Sequence, residues 1–356
     1  MSDPESQSSY ELQPQASARS SPGGGLQHAL VCVDGSHESE CALYFGLAVA
    51  DALGARVTCL RCLEPSPLSS QLPGPDALGW ELARAQAWRS LEELRQRAAG
   101  PADAPAIEVE LRLEEGHAAS RILAVARGVS ADLIVLGRHG EHGRRSGAPS
   151  GTAAEVLERT WTASLLVPCG PRRDSGQVAL GRILVLLDGS QRAEYALETA
   201  LRLAVAVSAE LVVLHVLPPV ELVGTAAVSA DALELAERLR ARNRLAAEDY
   251  LERLRARLAG AQVAVRTVLR EEMLFESLHD LPLELKADLA VMCAHGASGS
   301  SRRALGGVVR HAIRYCQIPL LILQDLTARQ VEQCDDGAAH ETGGPRAGNV
   351  HFQATR

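Results

Sequence analysis

Ala29-Leu-Val-Cys-Val-Asp34-Gly35-Ser36 and Arg182-Ile-Leu-Val-Leu-Leu-Asp188-Gly189-Ser190 are one arrangement written twice: an apolar run of strand length that stops at Asp-Gly-Ser. One domain length after each comes another apolar run that stops at a glycine-bearing loop. The first is Leu133-Ile-Val-Leu-Gly137-Arg-His-Gly140 and the second Leu289-Ala-Val-Met-Cys293-Ala-His-Gly296. A motif pair repeated at domain spacing means a duplicated domain rather than a solenoid of short repeats. A chain of 356 residues accommodates two such domains and their tails.

Working outward from these runs, each half alternates apolar segments with stretches of helical periodicity. The first half predicts strands over 28–33, 55–63, 107–113, 132–137 and 164–168, with helices over 38–53, 76–99, 118–128 and 152–160 between them. The second repeats the order, with strands over 182–187, 210–217, 262–269, 288–293 and 319–323 and helices over 191–206, 229–259, 274–286 and 306–316. Regular strand–helix alternation with almost wholly apolar strands predicts an α/β fold: two tandem doubly wound, Rossmann-like parallel-sheet domains with helices on both faces. The expected boundaries are a disordered tail over 1–26, a first domain over 27–170, a linker over 171–178, a second domain over 179–326 and a disordered tail over 327–356. The tails are rich in Ser, Gln, Pro and Gly and have little to bury, so ordering entropy would not be offset there.

Composition narrows the class of function. Hydrophobic residues at 46% suffice for two cores, and aromatics at only 3% require those cores to be aliphatic. A net charge of −8 argues against nucleic acid as a partner, because a binder of phosphate backbones carries a basic excess. No cationic-then-apolar leader and no apolar run of membrane length occur, which predicts a cytoplasmic protein with no membrane partner. The eight cysteines follow no disulfide framework and are expected as reduced thiols. Cys59 and Cys62 have the CxxC spacing of metal and redox sites. On a strand, however, a separation of three puts the two side chains on opposite faces, which favours packing over chemistry.

On a doubly wound sheet ligands bind beyond the carboxyl ends of the strands, at the point where strand order reverses. Asp34 and Gly137 both fall at such ends. The segment Gly137-Arg-His-Gly140-Glu-His-Gly143-Arg-Arg-Ser-Gly-Ala-Pro-Ser-Gly151-Thr152 then leads into a helix. A glycine-rich turn before a helix presents unpaired N–H groups and a positive dipole end, which suits phosphate. Arg138, Arg144 and Arg145 would add charge to such a site or lie on a solvated loop.

These features together resemble the universal stress protein family. They are Val33-Asp34-Gly35-Ser36, Leu187-Asp188-Gly189-Ser190, Gly116-His-Ala-Ala-Ser-Arg-Ile-Leu-Ala-Val-Ala and Ala131-Asp-Leu-Ile-Val-Leu-Gly137-Arg-His-Gly140. Both halves carry the likeness, as in the family's tandem members. ATP-binding members show G-x2-G-x9-G-[S/T]. The first half reads Gly137-x2-Gly140-x10-Gly151-Thr152, one residue longer, and the second reads Cys293-x2-Gly296-x9-Gly306-Gly307, without the first Gly or the Ser/Thr.

The resemblance implies ATP, with or without Mg2+, in the first half only. Asp34 would orient the ribose or a phosphate-bound metal, and the backbone of Cys62 would meet the adenine edge. Gly137 would sit under the ribose, with Gly140, Gly151 and Thr152 around the phosphates. It further implies that the halves form a pseudo-dimer through their last strands, 164–167 and 320–323. The second half, where a Cys293 β-carbon would crowd the ribose, would then be empty.

Three functions are compatible with this pattern. One is a stress-response regulator that binds an adenine nucleotide, and another a nucleotide-free scaffold for an unknown protein partner. The third, an enzyme acting on an adenylate, lacks the Ser-Gly-Gly loop of ATP pyrophosphatases and the H-x-G-H of nucleotidylyltransferases. His139 and His142 have neither that spacing nor that position, and no catalytic residue is assigned. A homodimer of tandem chains is a further expectation.

Overall fold

The computed structural model describes residues 25–64, 77–98, 107–139, 149, 151–168, 178, 180–220, 229–272, 274–296 and 304–325. The first half runs β1 (His28–Val33), α1 (His37–Leu53), β2 (Arg56–Leu63), α2 (Ala77–Ala98), β3 (Val109–Glu115), α3 (Ala118–Gly128), β4 (Leu133–Gly137), α4 (Gly151–Arg159) and β5 (Ala163–Val167). The second runs β6 (Arg182–Leu187), α5 (Gln191–Val207), β7 (Glu210–Leu217), α6 (Ala230–Arg257), β8 (Val265–Glu271), α7 (Leu274–Glu284), β9 (Leu289–Cys293), α8 (Gly307–Tyr315) and β10 (Leu320–Leu323). The alternation read from the sequence is the alternation of the fold. The third strand of each half differs, ending two residues later than the apolar run suggested. Its limits are set by the parallel ladder to its neighbour, which pairs Val57 with Val109 and Leu63 with Glu115, and Leu211 with Val265 and Leu217 with Glu271.

All the strands belong to one ten-stranded sheet in the order β3-β2-β1-β4-β5-β10-β9-β6-β7-β8. Pairing is parallel within each half and antiparallel where β5 meets β10, with Leu166 opposite Leu320 and Ser164 opposite Ile322. Both joining strands are buried along their whole length. The outermost strands, β3 and β8, carry Glu110, Arg112, Glu114, Arg266 and Arg270, charges that discourage another chain from adding to the edge.

Each half begins by the same local device. Ser36 and Ser190 cap α1 and α5, their hydroxyls accepting the N–H of Ser39 and Ala193. Helix α1 then lies very close to the sheet. A β-carbon at Gly46 would come within 3.1 Å of Val31 and 3.2 Å of Val135, so any larger residue would have to push those valine side chains aside. One buried cluster on this face contains Val31, Phe45, Leu165, Val185, Leu203 and Leu321, and thus draws on both halves. The opposite face also spans the seam, with Ile134, Leu157 and Leu166 packed in one cluster with Met292, Val309 and Leu320.

Cys59 packs on the first face and Cys62 against the second, as their spacing requires. Burial pushes both thiols up to about 12, so neither is a thiolate at neutral pH.

His28, at the start of β1, is buried, with Nδ1 3.0 Å from the Val129 carbonyl and Nε2 2.8 Å from the Thr58 hydroxyl. Burial, with Arg56 adding to it, lowers its pKa below the usual histidine value. A neutral buried imidazole stabilises the fold above the unfolded-state pKa of about 6.5, and that contribution is lost as pH falls through the lower folded value. Urea unfolding at pH 7 and pH 5 should therefore show a larger loss for the parent protein than for His28→Asn. Helix α1 ends at Gly54 in the left-handed region (φ 67°), whereas the equivalent residue after α5 is Ser208 (φ 55°). Ser208→Gly should stabilise by about 0.5–1 kcal/mol in the same assay.

Candidate functional site

The candidate site lies where β1 is flanked by β2 and β4, the place at which the strand order of the first half reverses. The parallel register that pairs Val33 with Arg61 sets Asp34 beside Cys62, while β4 brings Gly137 to the other side of β1. Asp34 closes the strand with a tight turn, its Oδ1 accepting the Ser36 N–H at 2.9 Å. Gly35 takes a φ of 93°, a left-handed conformation that favours glycine. The guanidinium of Arg61 lies over that turn, 3.1 Å from where a Gly35 β-carbon would stand. Arg61 escaped sequence reading; only its register opposite Val33 reveals it.

Gly137 is packed against the first turn of α1. A β-carbon there would stand 3.3 Å from the Glu38 carbonyl and 3.3 Å from the His139 carbonyl. His139 is 3.7 Å from the Glu38 carboxylate through Nδ1. Gly151 and Thr152 open α4, with open space where a Gly151 β-carbon would point. The first amides of α4 have no intrahelical partner, so they and the helix dipole favour an anion. Gly140, Gly143, Arg144 and Arg145 lie outside the described residues. Asp34, Cys62 and Gly137 are thus brought to one end of the sheet, and Gly151 and Thr152 start the helix of the strand–helix unit that follows β4.

Arg138, expected among the phosphate-facing cations, is turned elsewhere. It is buried, and its Nη2 donates to the carbonyl of Cys316 in the second half. Cys316 terminates α8, whose negative end attracts a cation, and the β5–β10 ladder brings that end within reach. Burial lowers the Arg138 pKa from its ordinary value.

The equivalent station in the second half is filled by its own residues. Cys293 stands where Gly137 does, and its thiol donates to the Arg192 carbonyl at 2.8 Å, the counterpart of the Glu38 carbonyl. Burial pushes that thiol up to about 12, which keeps the proton for this bond. The β-carbon expected to crowd a ligand therefore heads a side chain bonded into the first turn of α5. Asp188 Oδ1 accepts from the Ser190 N–H and hydroxyl, and Oδ2 lies only 2.3 Å from where a Gly296 β-carbon would be. His295 Nδ1 meets Asp325 Oδ1 at 2.7 Å, and Arg192 Nε lies 3.2 Å from Asp325 Oδ2, with the Asp325 side chain 2% exposed. Gly306 folds back so that its N–H reaches the Ala294 carbonyl at 2.8 Å. Nothing in the repeat motif signals this network, because Asp325 lies beyond the last strand.

Comparison with known proteins agrees with the geometry. The model of the universal stress protein family matches twice, over residues 25–168 and 180–324. A universal stress protein from Archaeoglobus fulgidus DSM 4304 superposes with a TM-score of 0.55 at 18% identity, covering 84% of this chain and 97% of that one. A protein of unknown function from Pseudomonas aeruginosa PAO1 gives a TM-score of 0.56 at 15% identity, covering 88% and 98%. No curated protein matches the sequence.

The two glycines should respond differently to substitution. Gly137→Val should cost about 1–3 kcal/mol in urea unfolding without any ligand, because the α1 backbone blocks the new side chain. Gly151→Ala should leave stability unchanged or slightly raised, since its β-carbon meets open space and alanine favours helix.

Proposed function

The chain belongs to the universal stress protein family, and we propose that it is a stress-response regulator that binds a single adenine nucleotide, ATP, in its first half. The observation that carries this reading is the asymmetry of the halves. At the first station a glycine follows the strand, while at the second a cysteine takes that place, its thiol bonded to the Arg192 carbonyl beside a buried ion network. Asp34 would accept from the ribose hydroxyls and the Cys62 backbone would meet the adenine edge. Gly137, Gly140, Gly151 and Thr152 would surround the ribose and phosphates, where the α4 amides supply donors. Arg61 is the described cation beside Asp34, and Arg138 serves another purpose. The role proposed is binding rather than turnover. The second half acts as the folded partner of the first.

A second reading, a nucleotide-free scaffold, is favoured by one specific observation. The helices α2 and α6 expose apolar side chains, among them Leu78 (73%), Leu82, Leu235 (68%) and Leu245. Such surface suits a protein partner. Among the described residues no helix is long and apolar enough to cross a membrane.

Mass spectrometry of small molecules released on denaturing the purified chain, followed by calorimetric titration with Mg-ATP, separates the two. One nucleotide per chain supports the first reading, and absence of heat at millimolar ATP supports the scaffold. Asp34→Ala should weaken binding by at least about tenfold, the effect of one lost charged hydrogen bond. Cys293→Gly should not raise the stoichiometry, because the Asp188–Gly296 contact and the Asp325 network remain.

A further inference from the structure

Among the described residues, Arg138 is a site residue expected from sequence whose side chain leaves the site, and its surroundings give it a different task. It follows Gly137 directly, and its own N–H donates to the Val167 carbonyl at 2.9 Å, so its backbone is tied to the end of β5. Its side chain crosses the seam to a carbonyl 178 residues away, at the residue that ends α8. The residue is 6% exposed, and no carboxylate forms an ion pair with it among the described residues. Nε has no hydrogen-bond partner there either. A buried guanidinium without a direct ion-pair partner is costly; the Cys316 carbonyl and the negative end of α8 hold it in place, with the Glu38 carboxylate acting on it at longer range. The contact has no mirror image, because Ala294 occupies the equivalent position in the second half.

We infer that Arg138 is a positioning residue that couples the loop after β4 to helix α8, so that occupancy of the first-half site is felt in the second half. The last clause rests on the nucleotide reading; the coupling itself does not. Helix α8 starts at Gly306 and Gly307, beside the Ala294 carbonyl and the His295–Asp325 pair. A displacement of the loop carrying Gly137 and Arg138 would therefore pull on the helix that closes the second station.

Hydrogen exchange on the full chain, read by mass spectrometry with and without Mg-ATP, tests this in the parent protein, Arg138→Met and Arg138→Lys. Without nucleotide, Arg138→Met should speed exchange over residues 310–318 by about tenfold and leave 191–207 unchanged. Arg138→Lys, which can still reach the carbonyl, should restore part of the protection; if the Met variant does not fold, the Lys variant should show a smaller rise over the same residues. Saturating Mg-ATP should slow 310–318 further in the parent protein and not in Arg138→Met that still gives binding heat. Unchanged exchange over 310–318 in both variants overturns the coupling. An equal nucleotide response in parent and Met variant, or none in a parent chain that binds, overturns the transmission. A parent chain that gives no heat overturns the nucleotide reading and the transmission with it, and the nucleotide-free comparison then decides the coupling alone.

Discussion

The antiparallel ladder between β5 and β10 is the contact on which the rest of the structure depends. Each half taken alone would end in a strand of four or five apolar residues with a bare hydrogen-bonding edge. A buried edge must satisfy its N–H and C=O groups, and an exposed apolar one invites aggregation. Pairing the two edges resolves both problems at once. It also merges the apolar layers, so that Leu165 and Leu321 share a core on one face while Leu166 and Leu320 share one on the other. Each fully buried aliphatic side chain contributes about 1.5–3 kcal/mol, and at the seam that contribution requires both halves to be folded. The duplication is thus held together by the same force that folds each copy.

Once joined, the copies were free to diverge at their strand ends. The frame is retained: Asp34 and Asp188 make the same turn, with Ser36 and Ser190 as the same caps. The difference lies in what approaches the first turn of the following helix. In the first half a glycine backbone lies against the Glu38 carbonyl; in the second a thiol bonds the Arg192 carbonyl, and Asp325 ties Arg192 to His295. The glycine adds no side chain of its own between strand and helix. In the second half, hydrogen bonds and ion pairs join the station's own residues to one another.

The strands and helices were legible because burial on both faces of a parallel sheet leaves long apolar runs, and because Asp-Gly-Ser marks the turn after β1 and β6. Asp34 and Gly137 could be grouped from strand order alone, whereas Cys62 joined them only through the family resemblance. The ends of β3 and β8 could not, since their limits follow from pairing with β2 and β7 rather than from their own side chains. Arg138 was misread for a related reason. A loop arginine beside a glycine looks like a phosphate ligand until the packing of the second half presents the end of α8 to it. The Arg192–Asp325–His295 network joins residues from three separate segments, and no local pattern announces a contact of that kind.

Because β5 and β10 run in opposite directions, the strands of one half point against those of the other. Their carboxyl ends, and with them the two stations, open at opposite poles of the sheet. A symmetric pair of identical domains would have interchangeable poles. Here one pole carries Gly137 and the other the bonded thiol of Cys293, so the molecule has a front and a back. A partner touching the back would leave the front accessible, and one touching the front would cover it. The duplication therefore creates an orientation that neither domain possesses alone.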